Sequence, residues 1–463
     1  MYSAIIMEIL SHAFRAHVLQ PRSDEDGGFA LEEDRVVVVQ EGMVTLAHAI
    51  DAVREMSFSR LTKVGLRFKD GVLFCGDQML EEPSQAMVPA NADTHTHIYQ
   101  PIGLGGRLMD WLKKMFEAGE IPAKQNTEVA REMARERLKA LAINGSTRVI
   151  AWPTSSVESA RIVLETAEAL GLEVRVSFVA MDQHVPPALA ETTTATVAGL
   201  EELFKEFGDR VVVIDRFPIA VSSELRRELV RLSREHGVLY EVHSDENQEE
   251  MAFIKALYGG RSVTRVLAED GVFSPGMKVG LAHSIHTNHE DRECIRASIR
   301  AECEVFVRAC PNSNDQLQSH WLRNPGQTKG GRYVPFPLRE WENLGAIVTL
   351  GTDLGAGNNF NLYQEMLDER ARQRDGVHCG NALPSPTALL QMGTVNGARS
   401  FGKTPEDLQI REGVRADFSV VRLAKVDASL KDRVESMADR VIRGGAQGPE
   451  AVVTTYVDGR RVV

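Results

Sequence analysis

The chain has 463 residues, 25% of them charged and 43% apolar, ordinary globular values that exclude an intrinsically disordered polypeptide. A formal net charge of −12 repels phosphate backbones and anionic headgroups, so a small molecule is the expected partner, with no nucleic acid and no membrane surface. Five cysteines (Cys75, Cys294, Cys303, Cys310 and Cys379), odd in number and never in a Cys-x-x-Cys pair, exclude a disulfide framework and fit a reducing, cytoplasmic compartment.

In chain order, Met1 to Glu8 lacks a basic n-region, and its short apolar run ends at Glu8, so it reads as a strand and not as a signal peptide. Residues 1–86 continue with short apolar runs, Val36-Val37-Val38-Val39 and Gly65-Leu66-Arg67-Phe68, and with turn signals such as Lys69-Asp70-Gly71. The other end echoes this in Ala416 to Val421 and Ala451 to Arg460. Both ends are therefore expected to form one small, discontinuous β-sandwich-like domain over 1–86 and 405–463. The segment 87–404 would interrupt it.

That segment repeats a β-branched apolar run, a polar turn and a helix-period stretch. The expected strands are 87–95, 146–152, 173–181, 211–217, 238–243, 278–283, 304–310 and 346–352. Helices are expected over Glu128 to Ala142, where Val129, Met133, Leu138 and Leu141 recur at helical spacing, and over Ser155 to Leu170 and Glu224 to His236. Eight strand–helix units predict an α/β fold, a (β/α)8 TIM-type barrel of roughly 250 residues or more. No apolar stretch reaches the roughly 18 residues of a membrane span. A homodimer or higher homo-oligomer is the expected state of such an enzyme.

The first barrel strand ends in Asp93-Thr94-His95-Thr96-His97, and alternation sends His95 and His97 to one side. A His-x-His alone is more often a satisfied or solvent-facing pair. Here His243, His283 and Asp353 also fall at carboxyl ends of strands, which in this fold share one mouth, the location of its active sites. His95, His97, His243 and Asp353 form a natural ligand set for one divalent ion, with zinc expected and iron, manganese or cobalt compatible. Such an ion lowers the pKa of bound water from about 16 toward roughly 7, making hydroxide available at neutral pH.

Glu246, three residues past His243, can shuttle a proton without being a ligand. Its competing reading is a helix N-terminal carboxylate. Cys310 reads as a buried structural thiol, and His286 and His289 as loop or helix surface. His12, His17, His48, His184, His236, His320 and His378 have no comparable setting.

In order, these motifs resemble the guanine deaminases of the amidohydrolase superfamily, from roughly residue 87 to the C-terminus. The resemblance rests on Asp93-Thr94-His95-Thr96-His97-Ile98-Tyr99-Gln100, Arg216-Phe217, His243-Ser244-Asp245-Glu246-Asn247, Cys310-Pro311-Asn312-Ser313-Asn314 and Gly351-Thr352-Asp353-Leu354-Gly355-Ala356-Gly357. It implies hydrolytic deamination of guanine to xanthine and ammonia. Glu246 would protonate the ring nitrogen, His283 would steady the attacking oxygen, and Asp353 would serve as ligand and base. It also implies that Gln100 and Arg216 bind the purine while Phe217 stacks on it. Guanidinium donors suit a ring carbonyl, and an aromatic face suits a flat heterocycle.

The alternatives are the same chemistry on an oxidised purine, pterin or triazine, or hydrolysis of a carbamate, urea or cyclic amide. Three departures bear on substrate choice. Pro89-Ala90-Asn91 replaces the family's Pro-Gly, and Glu117-Ala118-Gly119-Glu120 diverges within 111–124. Asp215 replaces a proline beside Arg216, where an extra acid is expected to neutralise the guanidinium or change the preferred ring.

Overall fold

The computed structural model describes residues 11–24, 27–323, 331–375, 383–425 and 432–462; the strand expected at Met1 to Glu8, His378 and Cys379 lie outside them. Strands from both ends share one seven-stranded sheet, in the order Arg460–Arg461, Val452–Val457, Phe418–Arg422, Gln85–Val88, Ser11–Pro21, Phe29–Gln40 and Met43–Ala49. The run Val36 to Val39 is continuously apolar because both sheet faces are covered. Val36 and Val38 pack with Leu46, Leu61 and Leu73 on one side, and Val37 and Val39 with Met87, Phe418 and Tyr456 on the other. A three-stranded sheet of Leu66–Lys69, Val72–Cys75 and Gln78–Met79 supplies part of the first covering layer. Its first turn sets Asp70 and Gly71 at φ 53° and 81°, the left-handed pair of a tight hairpin.

The middle of the chain is built on parallel strands. One sheet has Glu173–Val176, Ser146–Trp152 and Asn91–His97 in that order. The other has Val179–Ala180, Val213–Asp215, Leu239–Ser244, Lys278–His283, Glu304–Ala309 and Ile347–Leu350. The two sheets touch along both edges. Val212 N–H donates to the Val176 carbonyl at 3.2 Å, and the Thr94 hydroxyl donates to the Leu350 carbonyl at 2.8 Å.

Two expected strands are each divided. Within 87–95, Pro89 has no N–H to offer a ladder, so Gln85–Val88 joins the terminal sheet and Asn91–His97 starts the parallel one. Within 173–181, Ser177-Phe178 separates Glu173–Val176 from Val179–Ala180.

Helices run between successive parallel strands, and their caps follow from sequence. Thr127–Ile143, Val157–Leu170 and Ser223–His236 begin at Asn126, Ser156 and Ser222, each of whose side chains accepts from a first-turn N–H. The last two end on Gly171 and Gly237 in the left-handed conformation. Buried Arg148 ties the layers together by pairing with Glu173 at 2.6 Å and with Asp417 of the C-terminal region. No helix among the described residues is long and apolar enough to cross a membrane.

Candidate active site

Because the strands are parallel, their carboxyl ends open on one side, and the side chains expected there converge. Asp353 Oδ1 lies 3.4 Å from Nε2 of both His95 and His97, and His97 Nε2 lies 3.3 Å from His243 Nε2. His283 Nε2 is 3.7 Å from Asp353 Oδ2 and 3.7 Å from Glu246 Oε2. A cavity opens on His97, His243, Glu246, His283 and Asp353, with Gln100, Arg216 and Phe217 on its wall. His283 and Asp353 sit at φ 67° and 43°, a region costly for residues with a Cβ and found at sites the surroundings over-determine. Backbone bonds hold them there: Ser284 N–H donates to Ser244 O and Asp353 N–H to His95 O, each at 2.8 Å.

The hydrogen-bond partners fix which ring nitrogens face the cluster. The Arg216 carbonyl accepts from His243 Nδ1–H at 2.7 Å, leaving Nε2 with its lone pair toward the other histidines. Asn314 Oδ1, at 2.8 Å, does the same for His283. Burial holds the His97 and His243 imidazoles well below their usual range, so both are neutral. Burial alone would raise Asp353, yet the adjacent His95 ring, 3.4 Å away, and the other surrounding histidines keep its carboxyl well below the ordinary range.

These residues fit a divalent cation. The two nitrogens of His95 and Nδ1 of His97 are buried without a hydrogen-bond partner. Two overlapping sets, His95 with His97 and Asp353, and His95 with His243 and His283, each bring their ligand atoms within 4.8 Å of one another. Neutral imidazoles and an ionised carboxylate are the donor forms a metal requires.

Glu246 lies at the cavity wall and accepts from the Ser319 hydroxyl at 3.0 Å. Burial raises its carboxyl above the ordinary range, against the lowering influence of His283. The capping role belongs to its neighbours. Asn247 caps the helix Gln248–Leu257, and the reciprocal carboxylate is Glu250, which accepts from the Glu246 and Asn247 amides. Cys310 is buried, and burial pushes its thiol well above its usual range, which suits the structural reading. His286 is half-buried and bonded to the Ser319 carbonyl, while His289 is exposed at a helix start.

Asp215 does not neutralise Arg216. It closes a strand, so its side chain and that of Arg216 leave on opposite sides, and it pairs with Arg226 at 2.8 Å and the Tyr240 hydroxyl at 2.7 Å. The acid that meets Arg216 is Glu120. Its Oε1 accepts from Arg216 Nη1 at 2.7 Å and from Gln100 Nε2 at 3.1 Å, and the guanidinium lies 4.9 Å over the Phe116 ring. Sequence reasoning assigned Glu120 no role. The only signal was that it ends the divergent run Glu117-Ala118-Gly119-Glu120.

Parallel strands that gather four histidines, an ionised aspartate and a protonatable glutamate around one cavity define a hydrolase of the metal-dependent class. Residues 86–462 match the amidohydrolase family model, and the chain belongs to the amidohydrolase family. It is 26% identical over 389 residues to the guanine deaminase of Escherichia coli strain K12, covering 81% of this chain and 82% of that one. Its fold is that of the crystal structure of guanine deaminase from C. acetobutylicum with bound guanine in the active site, with a TM-score of 0.77 at 22% identity over 98% and 100% of the two chains. An adenosine deaminase from Xanthomonas campestris with bound zinc has a TM-score of 0.71 at 18% identity over 97% and 92%.

Proposed function

We propose that the protein hydrolyses guanine to xanthine and ammonia. The observation that carries this reading is one cavity holding both the histidine–carboxylate cluster and the Gln100, Arg216 and Phe217 wall. The E. coli relative's name agrees with it. The two parallel sheets are read as one closed (β/α)8 barrel over 87–404, and the sheet shared by the chain ends as a separate small domain over 1–86 and 405–463.

His95, His97, His243 and Asp353 would hold one divalent ion, with zinc favoured by the zinc-bound deaminase neighbour. When bound, such an ion supplies an activated water at neutral pH. Asp353, ionised in this setting, would accept a proton from an attacking water, and His283 Nε2, an acceptor because Nδ1 is spent on Asn314, would orient that water. Arg216 binds the ring carbonyl and Phe217 covers the ring face. The buried carboxyl of Glu246 delivers a proton to the ring nitrogen and relays one to the departing amine. A carbon–oxygen bond forms and a carbon–nitrogen bond breaks at the same ring carbon. Of the two water protons, one ends on ammonia and the other on the ring.

Steady-state ammonia release by metal-replete protein tests this, with guanine compared against an oxidised purine, a pterin and a triazine. Guanine is expected to have the highest kcat/KM. A different preferred ring, or no ammonia from guanine, overturns the assignment.

A further inference from the structure

We propose that Glu120 is a positioning residue that sets substrate specificity by fixing which end of the Gln100 amide faces the ring. A carboxylate only accepts hydrogen bonds, so the atom of Gln100 that meets Glu120 Oε1 at 3.1 Å must be the amide nitrogen. That leaves the carbonyl Oε1 of this cavity-lining side chain buried and without a partner. Glu120 itself is fully buried behind the wall and does not line the cavity.

Backbone geometry fixes where this side chain sits. The helix Leu108–Met115 runs into a π-helical turn, Phe116–Glu120, that brings Gly119 against the chain at Tyr99 to Pro101. A Cβ at Gly119 would lie 2.2 Å from the Tyr99 carbonyl oxygen and 2.7 Å from Pro101 Cδ, so only glycine lets the turn come this close. On the other side, a Cβ at Gly355 would lie 2.3 Å from Gln100 Cβ and 2.7 Å from its Oε1. Gln100 is packed between two glycine contacts with its nitrogen tethered.

The wall therefore offers one acceptor, Gln100 Oε1, beside the remaining N–H donors of Arg216. The complementary edge is a lactam, a ring N–H adjacent to a carbonyl. An amidine edge, a bare ring nitrogen next to an amino group, meets acceptor with acceptor and donor with donor. The substrate class is thus a lactam-bearing amino-heterocycle. Because the same Glu120 oxygen also accepts from Arg216, a glutamine here would be held oxygen-first, whereas Glu120→Leu offers no acceptor and would let either end of the Gln100 amide face the ring.

The inference rests on the deaminase reading for its chemistry, so its test reads binding and not turnover. Dissociation constants of hypoxanthine, which has the lactam edge, and adenine, which has the amidine edge, are measured on metal-loaded wild type and Glu120→Leu. The wild type is expected to prefer hypoxanthine by about tenfold or more, and Glu120→Leu to reduce the ratio to below about threefold with metal content and circular dichroism unchanged. On guanine, KM should rise more than kcat falls. A purely structural role for Glu120 would weaken both ligands equally, so a retained ratio in the variant overturns the inference. Equal binding or an adenine preference in the wild type also overturns it, whether or not the variant folds. If guanine yields no ammonia while the binding preference holds and is lost in Glu120→Leu, the deaminase assignment falls and the edge-reading role of Glu120 stands.

Discussion

Asp215 Oδ2 accepts from Arg226 Nε at 2.8 Å, and both side chains are fully buried. Arg226 also donates to Asp270 at 2.8 Å and to the Val221 carbonyl at 2.7 Å, so one guanidinium anchors the helix Ser223–His236 to the end of the preceding strand. The acid that sequence comparison set beside Arg216 thus serves the scaffold and leaves the substrate wall alone. Deleting Asp215 leaves Arg226 paired with Asp270 but removes two buried hydrogen bonds to a charged acceptor, from Arg226 and from the Tyr240 hydroxyl, at a cost of about 2–3 kcal/mol. Asp215→Ala is expected to lower the unfolding free energy by about that amount while the ratio of guanine turnover to that of other amino-heterocycles stays constant. Denaturant unfolding and a substrate panel check both halves. A changed substrate ratio in folded protein would return Asp215 to the site.

The division between acid and ligands at the strand ends gives a second expectation. Glu246 lies 3.7 Å from His283 and is bonded to Ser319, whereas His243 faces His97 at 3.3 Å. Glu246→Gln should lose about 100-fold or more in kcat while keeping one metal ion per chain. His243→Ala should lose the ion itself. Elemental analysis beside single-turnover kinetics separates the two, and a reproducible wild-type value near two ions per chain would replace the mononuclear reading.

The strand-end residues were legible because parallel strands put all carboxyl termini on one side, so His95, His97, His243, His283 and Asp353 needed only strand positions to be brought together. Asp215 was misread because adjacency in sequence was taken as adjacency in space, although neighbouring strand residues point apart. Glu120 was illegible for a different reason. It is 96 residues from Arg216 and reaches it through a π-helical turn, an irregularity with no periodic signature. The break at Pro89 was visible in the sequence, but the apolar run continuing across it hid the change of sheet.

Stability should carry its own pH signature, from Glu369. Its carboxyl is buried in the helix Leu362–Asp375 and bonded to Gln373 at 2.8 Å. Burial pushes it up from 4.5 to about 7, opposed by the Gln373 bond, reinforced by Asp315 and opposed by Arg372. The folded protein therefore holds a proton that the unfolded chain has already released. Stability is full below pH 4.5 and falls as pH rises toward 7, by up to about 3 kcal/mol from this group. Glu369→Gln has no proton to lose, so the melting temperature of wild type should fall relative to the variant across that window. Parallel profiles for the two proteins would remove Glu369 as the cause.

The last expectation separates what Arg216 does for the fold from what it does for the substrate. Arg216→Ala deletes the guanidinium that reads the ring carbonyl, but it also leaves the fully buried Glu120 carboxylate with only the Gln100 amide as donor. A single substitution thus confounds lost recognition with a stranded charge, whose cost is about 3–5 kcal/mol. The double variant Glu120→Gln/Arg216→Ala removes that charge. Its stability should recover most of the loss seen in Arg216→Ala, a coupling that a four-protein cycle of thermal or denaturant unfolding measures directly. Guanine turnover should not recover. In both Arg216 variants kcat/KM for guanine is expected to fall by about 100-fold or more, because the carbonyl loses its charged donors, whereas 2-aminopurine, which lacks that carbonyl, should lose far less. Metal content should match the wild type throughout, since Arg216 touches His243 only through its backbone carbonyl, which alanine retains. If the double variant regains guanine turnover along with stability, Arg216 is only the counter-ion of Glu120, and recognition of the ring falls to Phe217 and Gln100.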